Sequence, residues 1–554
     1  MYVPYFIIKT NDTIGTCRFS EIPKDKPTSS APVIQHPTLI GEPAYTVKIL
    51  LPAPSPIPTN AKSTPAASVS ATPRSEPTPA ERTLTVSEVT TLFLKSLLQS
   101  AEDFLGNKVE GTVISVPAYF DDAQRAALTK SAEEAGVTVL QLLDEAGAAA
   151  VTTSDLSQPA PSSEDRTQLI VDLGASSLEL SLISMREGLA YSLANFSDPT
   201  FGPGDLIDSK LIKFFAKEFT KKTKTPLTVS PASNPLDKRA EAKLLLAVEH
   251  TKRTLSASPG AATCSVESLK DGLDFTGSIN RMRFDMEVRS VYYAILDKAR
   301  ELLSSAGLDL YDVDEIVYIG GSACLPGLDE TLVGGGFRED IVTPFSAGTV
   351  VGGGVGDPTT ILARGCALQA QIIASLDEDE AEVKKAFVDR DSGLRNAMSI
   401  TKTIGVLFPE KQSGGGFGGQ WISVLQKETA VPARRTVGFE VDLGEGNAKV
   451  VGLEIWEVKE GIKIDRVKPP KLEYDDDEEE EEEEDIEVKE KIIEKETVLG
   501  SLSLVAKHAT KDNKGRWKTK VVVQFLVGID GVVEAGVWEI GHKGEKVSVK
   551  LGTP

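Results

Sequence analysis

The stretch Gln168 to Ser184, QLIVDLGASSLELSLIS, constrains this chain most. An apolar run ends in Asp172, the chain bends through Gly174, Ala175 and Ser176, and apolar and polar residues then alternate. That change of pattern predicts a buried strand, a tight turn and a second strand, a β-hairpin in place of the strand–turn–helix of a P-loop. A strand ending in Asp before small residues can hold a metal-bound phosphate. The carboxylate reaches the cation's water shell, and the small residues let backbone N–H groups approach the phosphate. Alone, Asp-Leu-Gly is an ordinary hairpin turn, and the surrounding segments decide how it reads.

Upstream, Thr85 to Leu105 carries Val86, Val89, Leu92, Phe93, Leu97 and Leu98 at helical spacing, with Thr85 or Ser87 as cap. Val86, Val89 and Leu92 could form a partner face, but the pattern predicts burial in a core. Val113 to Val116 reads as a strand, Asp121 to Gly136 as a helix, Val137 to Leu143 as a strand, and Glu145 to Val151 as a helix of small residues. Strand–helix–strand with short joints predicts a parallel sheet with helices packed on it. Downstream, Phe201 to Asp208, FGPGDLID, is a glycine turn entering a helix from Leu206 to Thr220. Further helices are expected over Asp237 to Leu255, Arg283 to Ala306 and Thr359 to Leu376, and a buried strand over Ile316 to Ile319. From Thr401 onward alternating runs separated by Gly and Asp turns predict an all-β region.

The length of 554 residues allows three or four average domains or two large ones. Formal charge is -22, and Asp475 to Asp485, eleven acidic residues, supplies half of it. An acidic surface does not favour binding to nucleic-acid phosphates, so no direct nucleic-acid contact is expected. Cys17, Cys264, Cys324 and Cys366 show no close pairing or metal-ligand spacing, which suits free thiols in a reducing compartment. No apolar run is long enough for a bilayer and MYVPYFIIKT is no secretory signal, so a cytoplasmic protein without membrane contact is expected. Pro52 to Pro79 holds eight prolines among Ser, Thr and Ala and is expected to be a flexible surface segment.

Four segments carry a family resemblance: Val113 to Val151, the hairpin, Glu249 to Ser258 (EHTKRTLSAS) and Ile316 to Pro326 (IVYIGGSACLP). In this order and spacing they resemble the nucleotide-binding domain of the seventy-kilodalton heat-shock chaperones, the DnaK-like branch of the actin-like ATPases. The implied fold is α/β, a two-lobed actin-like (ribonuclease H-like) domain over 84–376. A charged linker over 377–400 and a lidless β-sandwich over 401–554 follow, with an acidic loop at 473–485. Leu269 to Asn280 resembles the family's paired strands. Residues 1–83 stand apart as an atypical, largely flexible segment, since nothing in Met1 to Pro79 supplies the family's first phosphate loop; NDTIG at Asn11 to Gly15 is too slight a match. Two readings of that gap stand: a truncated or mis-spliced gene model, or a branch that has discarded the loop.

By the resemblance, Glu249, Lys252, Arg253 and Ser256 would hold ribose and adenine. Gly320, Gly321 and Ser322, with Gly204 and Asp205, would line the nucleotide's path, and Asp172, Gly174 and Ser177 would meet the phosphates, Asp172 reaching Mg indirectly. Glu145 stands at the family's water-positioning carboxylate. The hydrolytic side departs from the family: Ala175 and Ser176 replace glycines, Ser177 a threonine, Ala146 a proline, Cys324 an arginine and Thr359 an aspartate. Hydrolysis needs an aimed water and charge compensation for the leaving phosphate. The departures therefore predict a degenerate ATPase in which Glu145, Asp172 and Ser177 are not functional catalysts. ATP would be structural, its binding weak or absent. The linker lacks the family's leucine run, and the whole is similar to the atypical Ssz-type branch of the fungal ribosome-associated complex. That likeness implies a stable pair with a zuotin-type J-domain protein, indirect ribosome contact, activation of a catalytic ribosome-bound chaperone, and possible contact with nascent polypeptide. An active ATP-dependent peptide-binding chaperone is the alternative, and a small-molecule kinase of the same superfold a third. The acidic run Glu473 to Asp485 reads as a solvated disordered segment, or as a like-charge loop that repels nucleic acid or docks a basic helix of a partner.

Overall fold

The computed structural model describes residues 33–39, 43–51, 78–154, 165–186, 188–350, 354–376, 381–388, 398–409, 419–445, 449–467, 486–512 and 515–551. Three strands come first, β1 (Val33–Gln35), β2 (Pro43–Leu51) and β3 (Thr78–Thr85), in one antiparallel sheet. They lie in a stretch whose composition predicts flexibility. Ala44, Tyr45 and Leu84 are buried there, so local β propensity is reinforced by burial. Residues 52–77 and the NDTIG stretch lie outside the described residues.

Thr85 caps α1 (Val86–Leu105): its hydroxyl accepts from the Glu88 N–H, and the Glu88 carboxylate accepts from the Thr85 N–H. The expected core burial of this helix is not found. No α1 residue is buried, Val86 and Leu92 are exposed, and Phe104 is 90% exposed. Leu94 and Leu98 lie against Ala132, Ala135 and Val137. Helical spacing specifies an apolar face but not its cover. The nearby parallel sheet, β4 (Thr112–Val116) and β5 (Val139–Asp144), has two strands among the described residues and is too narrow to supply one. Between them runs α2 (Asp122–Glu134), capped by Asp121, and after β5 comes α3 (Glu145–Thr153).

The hairpin forms as its pattern dictates. β6 (Arg166–Leu173) and β7 (Leu178–Arg186) are antiparallel, with Asp172 opposite Glu179. β8 (Leu189–Asp198) extends the sheet beyond β7. Next come α4 (Pro203–Thr223) and α5 (Pro235–Ala257). α4 starts three residues before the expected Leu206, because Pro203 is suited to a first helical turn whose N–H would have no intrahelical partner. β9 (Ala261–Lys270) and β10 (Leu273–Asn280) form a hairpin through Asp271 and Gly272, both at positive φ, so the first strand begins well before Leu269. α6 (Arg281–Ser305) follows, and β11 (Glu315–Ile319) pairs parallel to β6, giving the order β11-β6-β7-β8. α7 (Pro326–Val333) and α8 (Ile361–Ser375) complete this part. One core fills the space between the sheet and α4, α5 and α6, around Phe215, Phe219, Phe275, Tyr292 and Tyr318. A second cluster, Ala149, Ala150, Ile170, Ile183, Val317 and Ile361, joins α3 and α8 to the opposite face of the sheet.

The charged linker contains a helix, α9 (Ala381–Val388), whose Ala386 is buried and whose Phe387 packs beside Val113, Leu143 and Ile373. The β-region is a two-sheet sandwich. One sheet has the order β13-β12-β15-β16, from β12 (Thr403–Pro409), β13 (Gly419–Leu425), β15 (Val450–Val467) and β16 (Ile486–Val505). The other runs β14-β18-β19-β20, from β14 (Ala433–Gly444), β18 (Trp517–Val527), β19 (Val533–Glu539) and β20 (Val547–Lys550), with β17 (Thr510–Lys511) on β18. Their inner faces close on Ile404, Val406, Leu453, Ile455, Val521, Val523, Phe525 and Val537. The sandwich meets the hairpin's far end: Arg186 donates to the Lys427 carbonyl and pairs with Glu428, and Arg435 pairs with Asp165 at 2.9 Å. Lys489 on β16 pairs with Asp309 at 2.8 Å. The acidic run lies outside the described residues. Among the described residues no helix is long and apolar enough to cross a membrane.

Candidate nucleotide site

Ligands of open α/β sheets gather at the carboxyl ends of the strands. Here β6 ends at Asp172 and Leu173, and β11 runs into Gly320. The turn after β6 closes with the Gly174 N–H donating to the Ser177 carbonyl at 3.1 Å. Gly320 has φ +90°, and a Cβ there would lie 2.5 Å from the Leu173 carbonyl oxygen and 3.3 Å from Asp172 Oδ1. Only glycine allows this approach. Gly204 is equally enclosed: a Cβ would lie 2.7 Å from Ser322 Oγ and 2.8 Å from Ala175 Cα. Asp172, Gly174, Ser177, Gly204, Asp205, Gly320 and Ser322 are thus drawn together, and Gly321 borders open space.

Glu145 opens α3 directly after β5 and shares a hydrogen bond with Asp172. Burial pushes Glu145 up to about 9, with the negative charges of Asp172, Glu179 and Asp144 adding to it. Burial raises Asp172 to about 6, opposed by the bond from Glu145. Glu179 is raised by burial to about 7, although it accepts from the Ala118 N–H at 3.1 Å. Among the described residues none of these three acids forms an ion pair with Lys or Arg. The neighbouring cation, Arg125, is taken by Asp144 at 2.6 Å. Among the described residues no group of three or more His, Cys, Asp or Glu is disposed to hold a metal ion.

The α5 residues, expected from the resemblance to hold ribose and adenine, are built differently. On α5, Lys252 reaches Asp208 at 2.7 Å and Glu249 at 3.0 Å, Arg253 reaches Glu249 at 2.9 Å, and the Ser256 hydroxyl donates to the Arg253 carbonyl. Burial lowers the Lys252 pKa, but the two carboxylates outweigh it and hold the ammonium above its ordinary range. Asp208 lies one turn along α4 from Asp205, so this helix links the two sides. Cys324 lies in the turn after Gly321, and the Thr359 hydroxyl donates to Asp357 at 2.7 Å. Sequence reasoning missed Glu179 and Asp208. The alternation after Ser177 places Glu179 across the hairpin from Asp172, and Asp208 follows Asp205 at helical spacing, so both signals were present.

The description "Hsp70 protein" fits residues 60–385, more than half the chain. The chain belongs to the Hsp70 family. A heat shock protein 70 homolog of Schizosaccharomyces pombe is 32% identical over 430 residues, covering 77% of this chain and 70% of the relative. The ribosome-associated complex subunit SSZ1 of Saccharomyces cerevisiae is 30% identical over 369 residues, 66% of this chain and 62% of the relative. A heat shock 70 kDa protein 2 of Paracoccidioides lutzii is 32% identical over 294 residues, covering 53% of the chain and 41% of the relative. The α/β part is accordingly the actin-like ATPase domain of an Hsp70, followed by the β-sandwich. The family implies ATP and Mg, and at the ends of β6 and β11 the close approach of Gly320 and the open space at Gly321 fit the passage of a nucleotide past the backbone. Three backbone donors at this end have partners, the Gly204 N–H on the Gly174 carbonyl, the Asp205 N–H on the Ala175 carbonyl and the Gly320 N–H on the Pro358 carbonyl.

Proposed function

We propose that this Hsp70 is a non-hydrolysing scaffold, an Ssz-type subunit that pairs with a zuotin-type J-domain protein. In this reading the pair sits near the ribosome and activates a separate catalytic chaperone for nascent chains. The observation that carries it is the bonded pair Glu145 and Asp172. A carboxyl held protonated by burial and by its acidic neighbours is a poor positioner of water. Substitution of the turn glycines by Ala175 and Ser176 adds to this. The likeness to SSZ1 supports the partner and the ribosome-associated setting. Glu249, Lys252, Arg253 and Ser256 act in this reading as holders of a structural nucleotide.

Two measurements test the proposal. Single-turnover assays at saturating ATP are expected to show no hydrolysis above a protein-free control; turnover at the rate of a catalytic Hsp70 overturns it. Affinity purification from fungal lysate is expected to recover one J-domain protein near one-to-one, and recovery of the chain alone removes the partner reading.

A further inference from the structure

α1 carries two apolar faces. The first holds Leu94 and Leu98, which pack beside Ala132, Ala135 and Val137. The second runs through Val86, Phe93, Leu97 and Phe104, all exposed, with Leu97 at 50% and Phe104 at 90%. Thr90 and Ser100 fill the gaps in this second stripe. Positions 86, 90, 93, 97, 100 and 104 thus follow in alternate steps of four and three. Such steps repeat every seven residues and keep one seam turned toward a second helix, as in a coiled coil. The two polar members do not spoil the seam. The Thr90 hydroxyl donates to the Val86 carbonyl and the Ser100 hydroxyl to the Ser96 carbonyl, both at 2.9 Å. Neither would be left unpaired when water is removed. Glu88, Lys95 and Glu102 stand seven residues apart and lie on the opposite side of the helix.

The symmetry of the seam points to its cover. Its six positions are mirrored about Lys95. A second copy of α1, laid end for end about that point, sets Val86 against Phe104, Phe93 against Leu97 and Thr90 against Ser100. Each of these pairings then occurs twice. Apolar residues meet apolar ones, a small hydroxyl meets a small hydroxyl, and no charge stands on either side. A two-fold interface has this property, since residue i meets j while j meets i. A partner of different sequence imposes no mirror on the order of these residues.

We propose that α1 is the interface of a homodimer, in which two copies of the chain pair antiparallel along Val86, Phe93, Leu97 and Phe104. The 20-residue helix is about 30 Å long. One such contact buries less than the roughly 800 Å2 per partner of a standard interface, so the dimer is weak, with a Kd on the order of 10 μM.

Sedimentation velocity of the full chain across about 1 to 100 μM tests this, with a shift from monomer to dimer expected over that range. Leu97→Glu is expected to weaken the dimer at least tenfold with an unchanged melting temperature. Leu92→Glu, exposed but off the seam, is expected to leave it intact. Under mild oxidation, Thr90→Cys mixed with Ser100→Cys is expected to give a disulfide-linked dimer, and each variant alone no more than the unmodified chain gives. Cross-linking of each variant with itself overturns the antiparallel order. Equal effects of Leu97→Glu and Leu92→Glu count against the seam. A chain that stays monomeric at about 100 μM overturns the inference. A monomer whose Leu97→Glu variant melts lower would show the face covered by the chain's own residues. A monomer whose Leu97→Glu variant no longer recovers a different protein would assign the face to that protein.

Discussion

The α5 helix and the carboxyl end of β6 use charge in opposite ways. At the α5 end, acids and bases alternate: Asp208, Lys252, Glu249 and Arg253 form one chain of ion pairs. At the β6 end, acid faces acid, and burial is relieved by proton uptake. The first arrangement stabilises by mutual compensation and remains charged. The second keeps its parts together by holding Glu145 protonated against Asp172. Lys252→Ala breaks the comparison most directly. It leaves Asp208 largely buried without its ammonium, and about 3 kcal/mol of stability should be lost, read as a lower urea midpoint at unchanged slope. A loss below about 1 kcal/mol would mean the network is an exposed one and the contrast is false.

The backbone around the β6 end gives the next largest effect. Gly320→Ala forces a side chain into positive φ and against the Leu173 carbonyl, and should cost about 2–3 kcal/mol. Gly321→Ala, which meets nothing within 4 Å, should cost under about 1 kcal/mol. Equal melting temperatures for the two variants would refute the close approach of β11 to β6.

Acid set against acid also predicts a pH dependence. The folded-state pKa values of Glu145, Asp172 and Glu179 are raised, to about 9, 6 and 7. Their contribution to stability is therefore complete below the unfolded carboxyl range and is lost as pH rises through those values. Each acid that stays protonated only in the folded chain adds a slope of about 1.4 kcal/mol per pH unit. The groups facing Glu145 are Asp172, Glu179 and Asp144, the last held by Arg125. Glu145→Gln should stabilise the chain at pH 8 and flatten the fall between pH 5 and pH 9, with no gain at pH 4. A melting temperature that rises with pH in the unmodified chain would show that these acids are ionised and compensated.

Local pattern made much of this molecule readable. The hairpin, the strand–helix–strand unit and the sandwich strands follow from alternation and from Gly and Asp turns. What could not be read depended on partners distant in sequence. Val86 and Leu92 carry a correct helical period, yet no sheet covers them among the described residues, and period alone does not report cover. β2 was hidden by the prolines that follow it, although PAYTVKILL is rich in strand formers. α9 was hidden by charge, although Val383, Ala386 and Phe387 stand at helical spacing. In the site, glycines and acids could be assigned to the strand ends by their order, but the bond from the Asp205 N–H to the Ala175 carbonyl spans thirty residues and no local rule announces it. The docking of the α4 start on the turn was therefore visible only once the two were seen together.

The smallest predicted effect sharpens the contrast within one helix. Arg253 and Lys252 are neighbours on α5 and share Glu249, but the Arg253 side chain is 67% exposed and that of Lys252 is 14% exposed. Water can solvate the half-exposed Glu249 carboxylate when Arg253 is gone, so the pair adds little to folding. Arg253→Ala should therefore change stability by less than about 1 kcal/mol, while Lys252→Ala on the next residue costs several times more. Salt separates the two further: raising ionic strength should erase the Arg253 effect, since exposed charges are screened, and leave most of the Lys252 effect. If both variants respond alike to salt, Lys252 is solvated too, and α5 would not be the compensated one of the two regions.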